Sequence, residues 1–487
     1  MKKNLKSPYI YYSSLFLLII IGVLFRIEYY NDGIWGDEWI SYFFSNPEIP
    51  IDQNYKNFLT FEGSPIINLY FNIFWNYLFG FNYQSIELGS LILGFFLLIF
   101  SVYFFEENRF KNFFFLFLII SNPFLIYYSG EARFYSASAF FTLISLIFFF
   151  ELLKNKTYKN IIFFITFSFI AASINIFSIS VYISIFIFCF FKKKYNFLIY
   201  LTIIGIIFII FNFEYLIAIG KLYIGNGGGS PLNIKFFVGL YFNIFFGNKI
   251  FGALFLLIVY YYFFYLNKKL LNKENEKIFL FFLIIFVTYF IPIFYGLIKS
   301  PVSSPRHFIF IVPLIIYVAS DCIFQIKNVW FKGTLLLTIV FFSIFSNLSD
   351  NKPFILSKEN PEWVIKHLDK SQIKNIYLEI TDAEKISRNI FYNKKQRNID
   401  NYFNHSNIWY FYNQTTFLHS KFFNIPRFNF INSTSNINKF WTLCNNDLSE
   451  GIKENPERCT KNKFETTHNL LKIINKDHFT LKLHGIK

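Results

Sequence analysis

Four short segments carry ionisable side chains at spacings that could do chemistry. Gly36-Asp37-Glu38-Trp39 sets two adjacent carboxylates beside an aromatic ring, and Phe61-Glu62-Gly63-Ser64-Pro65 adds a third carboxylate. Tyr127-Tyr128-Ser129-Gly130-Glu131-Ala132-Arg133-Phe134-Tyr135 places a carboxylate and a guanidinium in one aromatic stretch, and Pro305-Arg306-His307-Phe308 follows a proline at 301. A carboxylate can take a proton from a reacting hydroxyl. A planar guanidinium holds an oxyanion through two aligned donors and stays charged near lipid. Each residue also has a plainer role: Asp37 and Glu38 as a solvated acid pair, Arg133 as a salt-bridge partner of Glu131, and Arg306 as an interfacial anchor.

The elements that position these segments are membrane helices. The 487 residues are 54% hydrophobic and 23% aromatic, with 74 Phe, and only 16% are charged, so lipid rather than water must surround most of the chain. Apolar runs of roughly 18 residues, enough to cross a ~30 Å hydrocarbon core, recur over the first three quarters of the sequence. With the N-terminus inside, spans are expected near 9–27, 86–105, 113–129, 135–153, 160–177, 179–191, 196–213, 250–266, 278–297, 308–325 and 333–348. Every inner connection is then basic: Arg109 and Lys111; Lys154, Lys156 and Lys159; Lys192 to Lys194; Lys268, Lys269, Lys273 and Lys277; Lys327 and Lys332. Positive charge on the inner side orients such proteins, which accounts for the net charge of +16 better than nucleic-acid binding does. Two further apolar stretches, 65–81 and about 235–247, lack a basic inner loop after them and are expected to lie along the outer interface. The Gly225–Pro231 stretch reads as a flexible outer loop able to close over a substrate.

On these residues the sequence resembles the GT-C type of integral-membrane glycosyltransferases, related to protein O-mannosyltransferases and bacterial aminoarabinose transferases. The resemblance runs from about Leu24 to Pro313. Tyr127–Tyr135 is similar to the family's Tyr-Tyr-Ser-x-Glu-Ala-Arg-x-Tyr, Asp37-Glu38 to its first outer-loop pair, Glu62–Pro65 to its Glu-Gly-His-Pro segment, and Pro305–Phe308 with Pro313 to its Arg-Tyr…Pro motif. Departures are Ser64 in place of His, Glu87 where an Arg often stands, Asn175 for a frequent His, and His307 for the usual Tyr.

The resemblance implies transfer of a sugar from a polyprenyl-phosphate donor to a lipid, glycan or protein acceptor on the outer face. Such a donor carries its own leaving group, so the protein supplies a base and cations for the phosphate. Asp37 is then the base with Glu38 in support, and Arg133 and Arg306, with Glu131, Glu62, Tyr135 and His307 around them, bind donor and substrate. No cofactor is required by this chemistry, and the many outer carboxylates leave a divalent metal open. The alternative from another class is a lipid-linked glycan flippase or transporter, which would place its ionisable groups near mid-membrane rather than at the outer rim. An inactive scaffold is a third reading, against which the retained Asp37 argues.

The expected fold is therefore an all-α polytopic domain over residues 1–348, of about eleven spans plus outer interfacial helices. A small α/β domain over 349–487 follows on the extracytoplasmic side of a bacterial inner membrane. There Pro361–Leu368 reads as a helix, Asn375–Glu379 and Ile408–Tyr412 read as strands, and Cys444 and Cys459 are the pair able to bridge in an oxidising compartment. An odd number of crossings predicts that a reporter active only outside the cytoplasm will work when fused after Asp350. Activity of a cytoplasmic reporter at that position would overturn the count.

Overall fold

In the computed structural model the described residues are 8–30, 38, 41–42, 44–47, 50–61, 65–81, 83–102, 109–222, 241–266, 276–298 and 304–348, with 375–378, 429–430, 439–445, 468–476 and 479–486 toward the C-terminus. Asp37, Glu62, the 225–231 loop, the 361–368 helix, the 408–412 strand and Cys459 lie outside them. The chain divides into two compact units. The first holds residues 1–31, 45–55 and 62–355, and the second holds 32–44, 56–61 and 356–487.

The first unit is helical: α1 (Pro8–Ile27), α3 (Ile66–Phe79), α4 (Tyr83–Ser101), α5 (Arg109–Ile120), α6 (Pro123–Tyr127), α7 (Tyr135–Lys154), α8 (Tyr158–Ile174), α9 (Ile179–Phe191) and α10 (Asn196–Phe211) come first. The helix α2 (Ile51–Phe61) runs from this unit into the second. Beyond them lie α11 (Phe213–Leu222), α12 (Tyr241–Phe245), α13 (Lys249–Leu266), α14 (Glu276–Ile298), a 3₁₀ turn (Pro305–Ile311), α15 (Val312–Gln325) and α16 (Val329–Leu348). In hydrocarbon every backbone N–H and C=O must be paired within its own segment, which is why apolar runs fold as helices. A helix falls on each of the eleven expected spans. Among the described residues six helical segments are long and apolar enough to cross a membrane, and four more apolar helices are shorter, so the chain is a multi-pass membrane protein.

One boundary differs from expectation. The run 113–129 is not a single helix, because α5 already starts at Arg109 and stops at Ile120. Asn122 then caps α6, its side chain accepting the Leu125 N–H (2.9 Å) with Pro123 at the first helical position, and this ends one helix and starts another at a new angle.

The six long segments are not equivalent. The span Pro305–Gln325 is 89% buried and Tyr135–Lys154 78%, whereas Tyr9–Ile27 and Val329–Leu348 are 22% and 17% buried. α7 and the 3₁₀ turn with α15 thus form the centre, and α1 and α16 face lipid. Apolar matching alone gives little drive for helices to associate in lipid, so polar contacts pin them. At the C-terminal ends of α5 and α16, Ser343 Oγ donates to Ser121 Oγ (2.6 Å) and Asn347 Nδ2 to Ser121 O (2.6 Å). Asn122 Nδ2 donates to Phe245 O (2.9 Å). Between α9 and α14, the Ser180 and Thr288 hydroxyls share a hydrogen bond of 2.6 Å.

The spans are less free of charge than the sequence suggests. Where the start of α5 meets the ends of α13 and α15, Lys111 Nζ pairs with Asp321 Oδ1 at 2.7 Å, and Tyr262 and Gln325 both donate to Asp321 Oδ2. Asp321 is buried. Removing one member of a buried pair strands the other charge, whereas removing both leaves an apolar contact. Asp321→Ala is expected to lower stability by about 3–5 kcal/mol, and Lys111→Met combined with Asp321→Leu to recover most of it. Thermal unfolding of the detergent-purified protein checks this, and equal losses in both variants would contradict it.

In the second unit the described strands β1 (Asn375–Leu378), β2 (Asn429–Phe430), β3 (Lys439–Asn445), β4 (His468–Lys476) and β5 (Phe479–Ile486) form one mixed sheet in the order β2-β1-β3-β5-β4. β1 runs parallel to β2 and β3, while β5 pairs antiparallel with both β3 and β4. Cys444 lies on β3, opposite Thr480.

Candidate active site

The two central helices begin next to the expected cations. Arg133 ends the loop that leads into α7, and Arg306 and His307 open the 3₁₀ turn that leads into α15. Asn175 ties the His307 carbonyl to Ser138 Oγ, so the turn that opens on Arg306 and His307 packs against the start of the helix that follows Arg133.

The corner is held from several sides. Ser90 of α4 donates its hydroxyl to the Arg133 carbonyl (3.0 Å), and the Arg133 guanidinium lies 5.4 Å from the Phe134 ring centre. Asn175, buried at the junction of α8 and α9, donates through Nδ2 to the His307 carbonyl (2.8 Å) and to Ser138 Oγ (3.0 Å). Its Oδ1 accepts the Phe177 N–H (3.1 Å). The Phe177 ring stacks on the His307 imidazole, with centroids 5.1 Å apart and planes within 10°.

The Tyr127–Tyr135 loop is packed on all sides. Every residue from Ser121 to Phe140 is buried, Glu131 completely so. Tyr128 meets Tyr135 edge-on at 4.8 Å and Tyr127 at 5.1 Å, and Ser136 Oγ donates to the Tyr128 carbonyl (3.0 Å). Gly130 lies directly against the end of the first span: a Cβ placed there would be 2.5 Å from the Tyr29 carbonyl oxygen. Tyr135 is therefore a packing residue in an aromatic stack as well as a neighbour of Arg133.

Of the remaining expected site residues, Glu38 is fully buried and belongs to the second unit. Asp37 and Glu62 lie outside the described residues. Among the described residues no three His, Cys, Asp or Glu side chains converge as metal ligands would.

Three buried polar residues near this end of the unit go beyond the expected set. Arg26, on the last turn of α1, is fully buried and donates to the Gly22 carbonyl (2.9 Å), with the Ile119 and Ile120 carbonyls of α5 at 3.4 and 3.5 Å. Its position at the end of an apolar run was the available signal. Glu87 is buried on the first turns of α4, and its carboxylate together with burial holds the Tyr30 phenol above its usual range. Asn175 stands out in sequence only as a departure from a family pattern, and its role as a three-way tie is visible in the structure alone. Burial and the hydrogen-bonded Glu214 carboxylate raise the Tyr55 phenol above its usual range, with Tyr70 acting in the same direction.

The sequence matches no known protein-family profile and no curated protein. Among solved structures, it aligns with ArnT from Cupriavidus metallidurans bound to undecaprenyl phosphate at a TM-score of 0.56 and 8% identity, over 96% of this chain and 97% of that one. The fold is that of ArnT. The apo form of the same protein aligns at 0.53 over the same shares. The archaeal oligosaccharyltransferase AglB from Archaeoglobus fulgidus, in complex with an inhibitory peptide and a dolichol-phosphate, aligns at 0.37 and 11% identity over 79% of this chain and 59% of that one. The similarity to ArnT extends over both units, and it agrees with the GT-C resemblance read from the four motifs.

Because a methyl group at position 130 must displace the Tyr29 backbone, Gly130→Ala is expected to destabilise the protein by about 1–3 kcal/mol. Gly205→Ala and Gly333→Ala, where nothing lies within 4 Å of the added carbon, serve as controls and should leave unfolding unmoved. A Gly130→Ala protein as stable as these controls would mean that the loop does not bear on Tyr29.

Proposed function

We propose that this protein transfers a sugar from a polyprenyl-phosphate donor to an acceptor hydroxyl or amine on the outer face of the membrane. The observation that carries the reading is the packing of the 3₁₀ turn that opens on Arg306 and His307 against the start of α7, just after Arg133, in a fold like that of a protein solved with undecaprenyl phosphate. In this reading residues 1–348 form the catalytic membrane domain with eleven crossings, and 349–487 form a domain facing outward.

At headgroup depth a prenyl tail stays in lipid while its phosphate meets the two guanidinium groups. Their planar, permanently charged donors stabilise the charge that grows on the phosphate oxygens as the sugar leaves. Asp37 takes the proton of the acceptor, whose freed electron pair attacks the anomeric carbon. The carbon–oxygen bond to the phosphate breaks on the opposite side, the bonding pair leaves with the polyprenyl phosphate, and the anomeric centre is inverted. Glu38 supports the base or contacts the acceptor. The acceptor is a lipid, a glycan or a protein, and membrane lipid surrounds the domain.

Turnover of a polyprenyl-phosphate sugar by purified protein tests the assignment. Asp37→Asn keeps the shape of the base and removes its proton affinity, with an expected loss of about 10²–10⁴-fold in rate and unchanged donor binding. Arg306→Lys keeps the charge and loses the paired geometry, with an expected loss of roughly a hundredfold. An interfacial anchor would tolerate that lysine. Normal turnover in Asp37→Asn would remove the base, and normal turnover in Arg306→Lys would leave Arg133 as the phosphate ligand.

A further inference from the structure

The lysines that follow α7 and α9 and open α14 converge on one aromatic floor. Lys156 Nζ lies 5.2 Å from the ring centre of Phe197 and Lys194 Nζ 5.5 Å from that of Phe188. Lys192 Nζ lies 6.0 Å from the ring centre of Phe279 and Lys277 Nζ 5.0 Å from that of Phe150. These rings come from four helices and meet through Phe149, which stands 5.7 Å from Phe150, 6.3 Å from Phe188 and 6.0 Å from Phe197. Phe188 in turn lies 6.1 Å from Phe279. A ring face attracts an ammonium without neutralising it. Carboxylates pair with two lysines here, Glu276 with Lys194 (2.7 Å) and Glu151 with Lys154 (3.0 Å). Among the described residues those two acids stand against Lys154, Lys156, Lys192, Lys193, Lys194 and Lys277, so the corner is strongly cationic.

Orientation in the membrane accounts for the sign of these charges. It does not account for the backbone of Lys193, whose φ of 54° is in the left-handed region. The Lys194 N–H donates to the Cys189 carbonyl (2.8 Å) and the Lys193 N–H to the Phe190 carbonyl (3.1 Å), the paired cap in which glycine is the common residue at this position. A lysine there sacrifices stability and keeps an exposed charge at the end of α9.

The two helices joined by that cap also border an apolar groove. Ala172 of α8, Ile183 and Phe186 of α9, and Thr202, Gly205 and Phe208 of α10 line a cavity of about 280 Å³. Phe186 and Ile206 at its rim are exposed, and nothing lies within 4 Å of a Cβ placed on Gly205. At 1.5 Å per residue, Phe186 is about 9 Å along α9 from Lys192, and Ile179, which also lines the groove, about 20 Å. One leaflet is half of a ~30 Å hydrocarbon core, so an acyl chain hanging from a headgroup at the lysines reaches the groove.

We propose that this corner binds an anionic phospholipid, with the phosphate on Lys156, Lys193 and the neighbouring lysines and one acyl chain in the groove between α9 and α10. Charge alone would suit any phosphate, and the groove is what commits the site to a lipid. Arg133 precedes α7 and Lys154 ends it, 20 residues or about 30 Å further on, so this site does not depend on the polyprenyl-phosphate reading.

The test uses the full-length protein in a neutral detergent, with lipid binding read by native mass spectrometry and by the rise of the unfolding temperature with added lipid. Phosphatidylglycerol is expected to bind and to stabilise, and phosphatidylcholine with the same acyl chains is not. Glycerol phosphate, which carries the charge without the chains, is expected to leave the unfolding temperature unmoved. Lys156→Gln and Lys193→Gly are each expected to weaken phosphatidylglycerol by about fivefold, the share of one lysine near an anionic surface. Lys193→Gly also relieves the left-handed strain, so without lipid it should unfold no lower than the parent, which separates a lost contact from a damaged fold. Gly205→Leu is expected to fill the groove and weaken phosphatidylglycerol with the lysines intact.

Equal binding of phosphatidylglycerol and phosphatidylcholine, or full affinity in both lysine variants, would overturn the headgroup assignment. Stabilisation by glycerol phosphate equal to that by phosphatidylglycerol would reduce the corner to a site for soluble anions and overturn the lipid. Parental affinity in Gly205→Leu would remove the chain from the groove. Should that variant fail to fold, the glycerol phosphate comparison decides between lipid and free anion.

Discussion

Charge at the edge of hydrocarbon is the constraint on which the rest of this structure depends. A guanidinium inside a lipid-filled span is expensive, and one in open water binds phosphate weakly because solvent screens it. Arg133 and Arg306 stand at the starts of α7 and of the 3₁₀ turn before α15, the most enclosed of the six long apolar segments. The serine and asparagine contacts between elements fix the relative heights of the helices that carry them. The placement of the two arginines within the unit is thus set by helix packing.

The same physics explains what could be read in advance. Long apolar runs between basic loops have one stable solution in lipid, so the positions of the helices were legible within a few residues. The break between α5 and α6 was not, because the Phe, Leu and Ile on both sides of Asn122 keep the hydropathy high while a single side-chain cap turns the chain. Arg133, Arg306 and His307 were legible as a group through the order of short motifs. Arg26 and Asn175 were not, since an arginine near a span end and an asparagine at a helix terminus are ordinary until their partners are seen. In the C-terminal unit, β1 was recognisable, but β3, β4 and β5 mix lysine, asparagine and histidine into their apolar alternation and give a weak period-two signal.

An identity of 8% to a protein of the same fold leaves few shared residues from which function could be inherited. What persists between such sequences is the pattern that lipid enforces: helix lengths, the side on which charge falls, and small residues at close approaches. Gly130 beneath the Tyr29 carbonyl is of that kind, since the contact admits no side chain whatever the substrate. The departures at Asn175 and His307 are of the other kind. They tie two elements together, the Asn175 amide donating to the His307 carbonyl.

The inner cluster has a bearing on how the protein is made. Lys111 and Asp321 are 210 positions apart, and Tyr262 joins them from a third helix. During synthesis α5, only 12 residues long, reaches the bilayer with its lysine well before the aspartate exists. Its ammonium must stay at a membrane interface, which delays the seating of α5 against its neighbours. Arrival of α15 neutralises the lysine and lets both helices settle together. The membrane unit is therefore completed late and nearly all at once, when its last two helices enter, rather than helix by helix as each leaves the ribosome.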